Sequence, residues 1–209
     1  MLKNFIFDID GTLIDTINMY MPAMKTTLEK YGYHVSKDDM RMLFGITAID
    51  ALRGAHVKEE DIQPLFKEWF ALAYQNSDKV TVFDGVDETL NTMSQRPDIN
   101  LVVATSKTTE EYKNEFETHF GIAKYFKAHV TADDTSKHKP DPDPVIAGFT
   151  KVNGKPEESV YIGDTINDLK AAHAAGVKFG AALWGSAQPE NLTKADFSLE
   201  KPQDLLELI

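Results

Sequence analysis

The sequence predicts an α/β fold, a doubly wound, Rossmann-like parallel sheet with an α-helical cap inserted after the first strand. Three observations carry this. Short apolar runs recur along the chain, each closed by turn residues and followed by a helical pattern, as strands buried on both faces of a parallel sheet read. Their alternation with helices is the order of crossover units packed on both sides of one sheet. After the first run, however, comes a long stretch of helix formers with apolar spacing near 3.6 and no strand.

Taken in order, strands are expected over residues 5–8, 101–105, 128–132, 160–163 and 179–183, with helices over 86–94, 110–120, 142–151 and 166–175. Helices at 21–31, 37–44, 48–54 and 59–75 form the insertion, whose hinges fall near 14–16 and 79–85, where turn-prone Asp and Gly flank the pattern. Residues 1–15 and 80–209 are thus assigned to the core domain and 16–79 to the cap. A chain of 209 residues has room for one full core and a small second one.

The formal net charge of -11 argues against nucleic acid as a partner, because binding a phosphate backbone needs a basic face. With no cysteine, the chain has no disulfide framework, thiolate nucleophile or thiolate metal site. The first ten residues carry one Lys and a short apolar run that Asp8 interrupts, unlike a secretory leader. No apolar run approaches the roughly 18 residues of a membrane span. The expected setting is the cytoplasm, with no membrane partner and a monomer or weak homodimer.

Ligands of an open α/β sheet gather beyond the carboxyl ends of its strands, so the residues standing there carry the chemistry. The first strand ends in Asp8-Ile9-Asp10-Gly11-Thr12 and the second in Thr105-Ser106-Lys107. The third is followed by Lys137-His138-Lys139-Pro140, and the fourth ends in Gly163-Asp164-Thr165 with Asp168 one helical turn on. Carboxylates crowded at one edge repel and call for a cation. Mg²⁺ takes few protein carboxylates and shares its shell with substrate phosphate, which suits Asp8, Asp164 and a main-chain carbonyl from Asp10. Lys139 would clamp the phosphate from the other side, where charge spreads over equatorial oxygens during phosphoryl transfer. Asp8 is the expected nucleophile, and Asp10, two residues on, the acid and base that serves leaving group and water in turn. Gly11 permits the tight turn that brings main-chain amides to the phosphoryl oxygens, and Thr105 and Ser106 would donate to the same oxygens.

With these motifs in order, DIDGT at Asp8 to Thr12, LVVATSK at Leu101 to Lys107, KPDP at Lys139 to Pro142 and GDTIND at Gly163 to Asp168, the chain resembles the haloacid dehalogenase superfamily phosphatases with a helical, C1-type cap. The resemblance implies Asp8 as nucleophile, Asp10 as acid/base, Thr105 and Lys139 as phosphate binders and Asp164 as a metal ligand. It leaves Asp168 to hold either Lys139 or a metal-bound water. The implied partner is a small phosphorylated metabolite or pyrophosphate. Dehalogenases and phosphonatases of the family lack the second aspartate, whereas Asp10 is present. Phosphomutases retain both aspartates and stay open as an alternative, as does a non-catalytic phosphate-binding module.

Plainer roles compete at several positions. Thr105, Ser106, Asp164 or Thr165 could cap the helices that follow them. Met19, Met21, Met24, Met40 and Met42 are expected to fill the helical core. Arg53, His56, His119, His129 and His138 read as surface or structural groups, and Asp15-Thr16 as a helix start. The resemblance also implies that the uncharged loop Gly45-Ile46-Thr47-Ala48 faces the site.

Overall fold

Successive residues of the central strand β1 (Asn4–Phe7) face opposite sides of the sheet, and both sides are packed. Phe5 and Phe7 join a cluster with Leu101, Val103 and Phe116, while Ile6 joins Val102, Val145 and Tyr161 in another. A strand buried on both faces cannot alternate polar with apolar residues, which is why these strands read as continuous apolar runs. The computed structural model describes residues 1–209, the Lys37 side chain excepted.

The other core strands are β4 (Asn100–Ala104), β5 (Ala128–Val130), β6 (Ser159–Gly163), β7 (Lys178–Ala182) and β8 (Phe197–Leu199). They form a parallel sheet in the order β5-β4-β1-β6-β7-β8. Helix α5 (Val86–Ser94) covers one face, and α7 (Asp143–Thr150) and α8 (Ile166–Ala174) the other. The sheet has one strand more than the sequence predicts. β8 has three residues, only one of them fully buried, so it carries no apolar run to read. The expected helix over 110–120 is instead a single α-turn, α6 (Thr109–Glu111), continued as a π-helix through Tyr112–Glu117.

Between β1 and α5 lie α1 (Ile17–Lys30), α2 (Lys37–Met42), α3 (Ala48–Gly54) and α4 (Glu59–Ala73), the last followed by a 3₁₀ segment at Tyr74–Lys79. They enclose their own apolar cluster, with Met24, Leu28, Leu52 and Leu65 buried at its centre. Met19 and Met40 belong there too, and Met21 packs against it while also lining the cleft described below, but Met42 is 41% exposed, so one of the five methionines departs from the expected core role. The segments expected as hinges pair with each other. β2 (Ile14–Asp15) and β3 (Thr81–Val82) make a two-stranded antiparallel ribbon, so both crossings between the sheet and the helices run side by side.

Candidate active site

Phe7 is level with Val103 on one side and Ile162 on the other, and β1 is where the sheet order turns back on itself. Asp8 therefore leaves the sheet between two neighbours whose next polar residues are Thr105 and Asp164. This is the crevice where a doubly wound sheet binds its ligands.

Asp8, Asp164 and Asp168 are all buried, and each offers a carboxylate oxygen within 4.8 Å of the others. Lys139 sits among them, its Nζ 2.8 Å from Asp8 Oδ2 and 2.8 Å from Asp168 Oδ1. The three acids nevertheless differ in what they have left to offer. Asp168 Oδ1 takes Lys139 and the Tyr161 hydroxyl (3.3 Å), and its Oδ2 takes the Thr165 amide (3.0 Å) and hydroxyl (2.6 Å) in a capping box at the start of α8. Both oxygens are spent, so Asp168 holds Lys139 and caps α8. Asp164 accepts from Thr12 Oγ1 at Oδ1 (3.0 Å), but its buried Oδ2 has no partner among the described residues. A buried carboxylate oxygen left this way is costly unless a cation meets it. The orphaned oxygen beside Asp8 fits a hard divalent ion held by Asp8 and Asp164.

The loop after β1 is shaped around these acids. Gly11 has φ +79°, and a Cβ there would lie 2.3 Å from Asp164 Oδ2, so no larger residue fits the approach. Support also comes from the fifth predicted strand end, which the sequence reading passed over. Trp184 Nε1 donates to the Thr12 carbonyl (2.9 Å) and Ser186 Oγ to the Asp164 carbonyl (2.6 Å), while Gly185 packs on the Gly11 backbone.

Asp10 does not join the carboxylate cluster through its side chain. Its Oδ1 accepts from Thr16 Oγ1 (2.7 Å) and its Oδ2 lies 3.2 Å from Lys107 Nζ, leaving the main-chain carbonyl as the group it could offer a metal. Thr16 stands at the start of α1 without capping it, because its hydroxyl is given to Asp10. Lys107 also donates to Glu115 Oε2 (2.7 Å) and to the Tyr20 hydroxyl (3.2 Å), and Tyr20 in turn donates to Glu115 (2.6 Å). Burial alone would lower the Lys107 ammonium, but Asp10, Tyr20 and Glu115 outweigh it and hold it well above the ordinary lysine range. Sequence reasoning missed Tyr20 and Glu115, which stand 87 and 8 residues from Lys107.

Thr105 is buried and accepts the Lys107 amide at Oγ1 (3.2 Å), whereas Ser106 Oγ donates to the Gly45 carbonyl (3.2 Å). Neither caps the next helix, a task that falls to Thr108. The Ser106 contact brings residues 45–48 over the crevice, and Gly45 packs so closely on Thr165 that a Cβ would lie 2.8 Å from its methyl. Asp50 and His138 approach across the same gap at 3.4 Å. Between the helices and the sheet edge remains a cleft lined by Asp8, Asp10, Ser106 and Lys107 below and by Tyr20, Leu43, Phe44, Ile46, Trp69 and Phe70 above. Arg53 is paired with Glu59 (2.8 Å), and neither it nor His56 lines this cleft. His129 stacks on Tyr112 and His119 bonds to Thr118, in keeping with structural roles.

Residues 5–182 match the family model described as haloacid dehalogenase-like hydrolase. The chain belongs to the haloacid dehalogenase-like hydrolases. It is 27% identical to pyrophosphatase PpaX of Oceanobacillus iheyensis, over 100% of this chain and 97% of that one. It is 28% identical to pyrophosphatase PpaX of Bacillus velezensis, over 97% and 94%. Among solved structures, one described as a "putative phosphoglycolate phosphatase" from Lactobacillus plantarum superposes with a TM-score of 0.87 at 28% identity and covers 100% of both chains. A β-phosphoglucomutase from Clostridium difficile, at 21% identity and a TM-score of 0.83, covers 98% of this chain and 93% of its own and shares the fold. No helix of this hydrolase, among the described residues, is long and apolar enough to cross a membrane.

Charge makes the hydrolase's site sensitive to pH in a defined direction. Burial pushes the Asp8 carboxyl up to about 7, with Lys139 pulling it down and Asp168 and Asp10 pushing further up. Burial, Asp168 and Asp8 likewise raise Asp164 well above the usual carboxylate range. The folded state thus keeps the Asp8 proton from the unfolded value of 3.8 up to about 7. Through that window the folded state binds more protons than the unfolded one, so the metal-free protein should lose stability as pH rises. A divalent cation held by these carboxylates would compete with those protons and stabilise more at the upper end. Thermal melts in chelator and in excess Mg²⁺, at about pH 5 and about pH 7.5, check both signs. A melting temperature indifferent to pH and cation would contradict this account of the cluster.

Proposed function

We propose that the chain is a Mg²⁺-dependent phosphatase that transfers the phosphoryl group of a small phosphate ester, or of pyrophosphate, to Asp8 and then to water. The observation that carries this reading is the pair of acids at the end of β1 with different surroundings. Asp8 is buried beside Lys139 and the unpartnered Asp164 oxygen, while Asp10 faces the cleft between Thr16 and Lys107. Two carboxyl groups in unlike environments can divide nucleophile and acid/base between them.

In the first step an Asp8 oxygen bonds to phosphorus while the bond from phosphorus to the leaving oxygen breaks, and Asp10 gives its proton to that oxygen. In the second, Asp10 takes a proton from water as the water oxygen attacks phosphorus, which frees Asp8 and inorganic phosphate and returns Asp10 to its starting state. Lys139 stays charged, since Asp168 and Asp8 overcome the effect of its burial, and can face phosphoryl oxygens as well as orient Asp8. Thr105 and Ser106 stand at the same edge as further donors. Asp8, Asp164 and the Asp10 carbonyl would hold the Mg²⁺, which when bound supplies countercharge to the transferring group. Residues 16–79 act as a cap that excludes bulk water when closed over the cleft and opens for product release. Pyrophosphate and phosphoglycolate enter as candidate substrates from the names of the relatives.

Phosphate release from pyrophosphate and a panel of phosphomonoesters, with Mg²⁺ and with chelator, tests the reading. Metal-dependent release is expected. Release that ignores chelator, or isomerisation of a sugar phosphate without free phosphate, would overturn it.

A further inference from the structure

The cap side of the cleft carries a chemical signal that the names of the relatives do not. Tyr20, Leu43, Phe44, Ile46, Trp69 and Phe70 form its wall. This wall is rigid. Phe70 is locked by Trp69 (5.2 Å between centroids), Tyr20 (5.6 Å) and Phe66 (4.4 Å). Its polar handles are also turned away from the cleft: Trp69 Nε1 donates to the Tyr20 carbonyl (2.9 Å) and the Tyr20 hydroxyl to Glu115 (2.6 Å).

Among the described residues lining the cleft, Lys107 is the one cation, and its charge is answered by Asp10 (3.2 Å) and Glu115 (2.7 Å). Glu111 adds a further acid to the same lining. The phosphoryl end has Lys139 and the proposed cation. The end that would receive the rest of the substrate offers no countercharge. A second phosphate or a carboxylate placed there would lose its water against aromatic and aliphatic carbon beside other acids, at a cost that no free cation offsets. An apolar group would gain by the same burial.

We propose that the group leaving phosphorus is an uncharged alcohol with an apolar or aromatic body seated against this wall, rather than a second phosphate or a carboxylate-bearing alcohol. The inference rests on the phosphatase reading above and narrows its substrate class. It also gives the cap a discriminating role: the wall selects for carbon, and the charged residues below it select for the phosphoryl group.

The test compares kcat/KM of the intact protein, in saturating Mg²⁺, for benzyl phosphate, phosphoglycolate and pyrophosphate. Benzyl phosphate and phosphoglycolate are both esters of primary alcohols, so the comparison isolates what the leaving group carries. Benzyl phosphate should be favoured by about tenfold or more, the discrimination a hydrophobic pocket gives a single apolar group. Ile46→Lys, which puts a cation on the wall, should narrow or reverse that ranking. Equal or better turnover of phosphoglycolate or pyrophosphate by the unaltered chain would overturn the inference and leave the phosphatase reading standing. If that preference disappeared with Arg41→Ala, the exposed Arg41 in the neighbouring recess beside Asp164 would be identified as the anion anchor instead. Metal-dependent release from none of the three would count against the parent reading, and the inference would fall with it.

Discussion

Asp8→Asn should lower turnover by about ten-thousandfold or more, the scale seen when a covalent nucleophile is removed, without unfolding the protein. The amide keeps the shape of the side chain and can still accept from Lys139, but it cannot form the bond to phosphorus. The effect on stability separates this variant from an ordinary core mutation. Burial holds the Asp8 carboxyl near 7, so its charge is a burden on the folded state at neutral pH. Exchange for a neutral group should therefore leave the metal-free melting temperature at about pH 7.5 unchanged or higher, while weakening the stabilisation by Mg²⁺. Loss of activity together with a fall in metal-free stability would point to a structural role instead.

Lys139→Met should be the most destabilising single change in the site. Lys139 is 4% exposed and bridges Asp8 and Asp168, and removing one member of a buried ion pair costs about 3–5 kcal/mol because the remaining charge is left without a partner. For a chain of this size that is a fall in melting temperature on the order of 10 °C. The loss should be larger at about pH 8 than at about pH 5, where Asp8 holds its proton and no longer needs the ammonium. Differential scanning calorimetry at the two pH values reads both effects. A shift under about 2 °C at the higher pH would mean that the pair contributes little.

How much of this was legible from the residues depended on how far each feature reaches along the chain. The strands β1, β4, β6 and β7 were readable to within one residue because each is a short, mainly apolar run, and in β1, β4 and β6 a polar residue follows it directly. That same pattern exposed Asp8, Thr105 and Asp164. Thr165 was legible as one possible cap and Asp168 as a partner of either Lys139 or a metal-bound water, whereas the capping box that ties Thr165 to Asp168, with Lys139 on the other Asp168 oxygen, shows only in the packed site.

What stayed hidden was set by contacts between distant segments. β2 and β3 are two residues each and exist only because the chain enters and leaves the helical insertion at the same place. The Lys107, Glu115 and Tyr20 network requires α1 to lie over the sheet edge, which no local pattern states. Trp184 and Ser186 follow an apolar strand without an acid, so nothing marked them as braces for the loop of Gly11 and Thr12. Met42, two positions from the buried Met40 and so on the other side of its helix, faces water, whereas only the packed helices reveal that Met21 also lines the cleft.

The central claim is a phosphoryl group carried on Asp8, and trapping it tests that claim most directly. Asp10→Asn should slow hydrolysis of the acyl phosphate more than its formation from an activated ester, so the intermediate should accumulate. After acid quench and digestion, mass spectrometry should find one phosphoryl group on the peptide containing Asp8, labile to hydroxylamine and absent from the Asp8→Asn, Asp10→Asn double variant. Phosphate release by the unaltered protein with no such adduct in the Asp10→Asn variant, or with the adduct on another residue, would contradict the account.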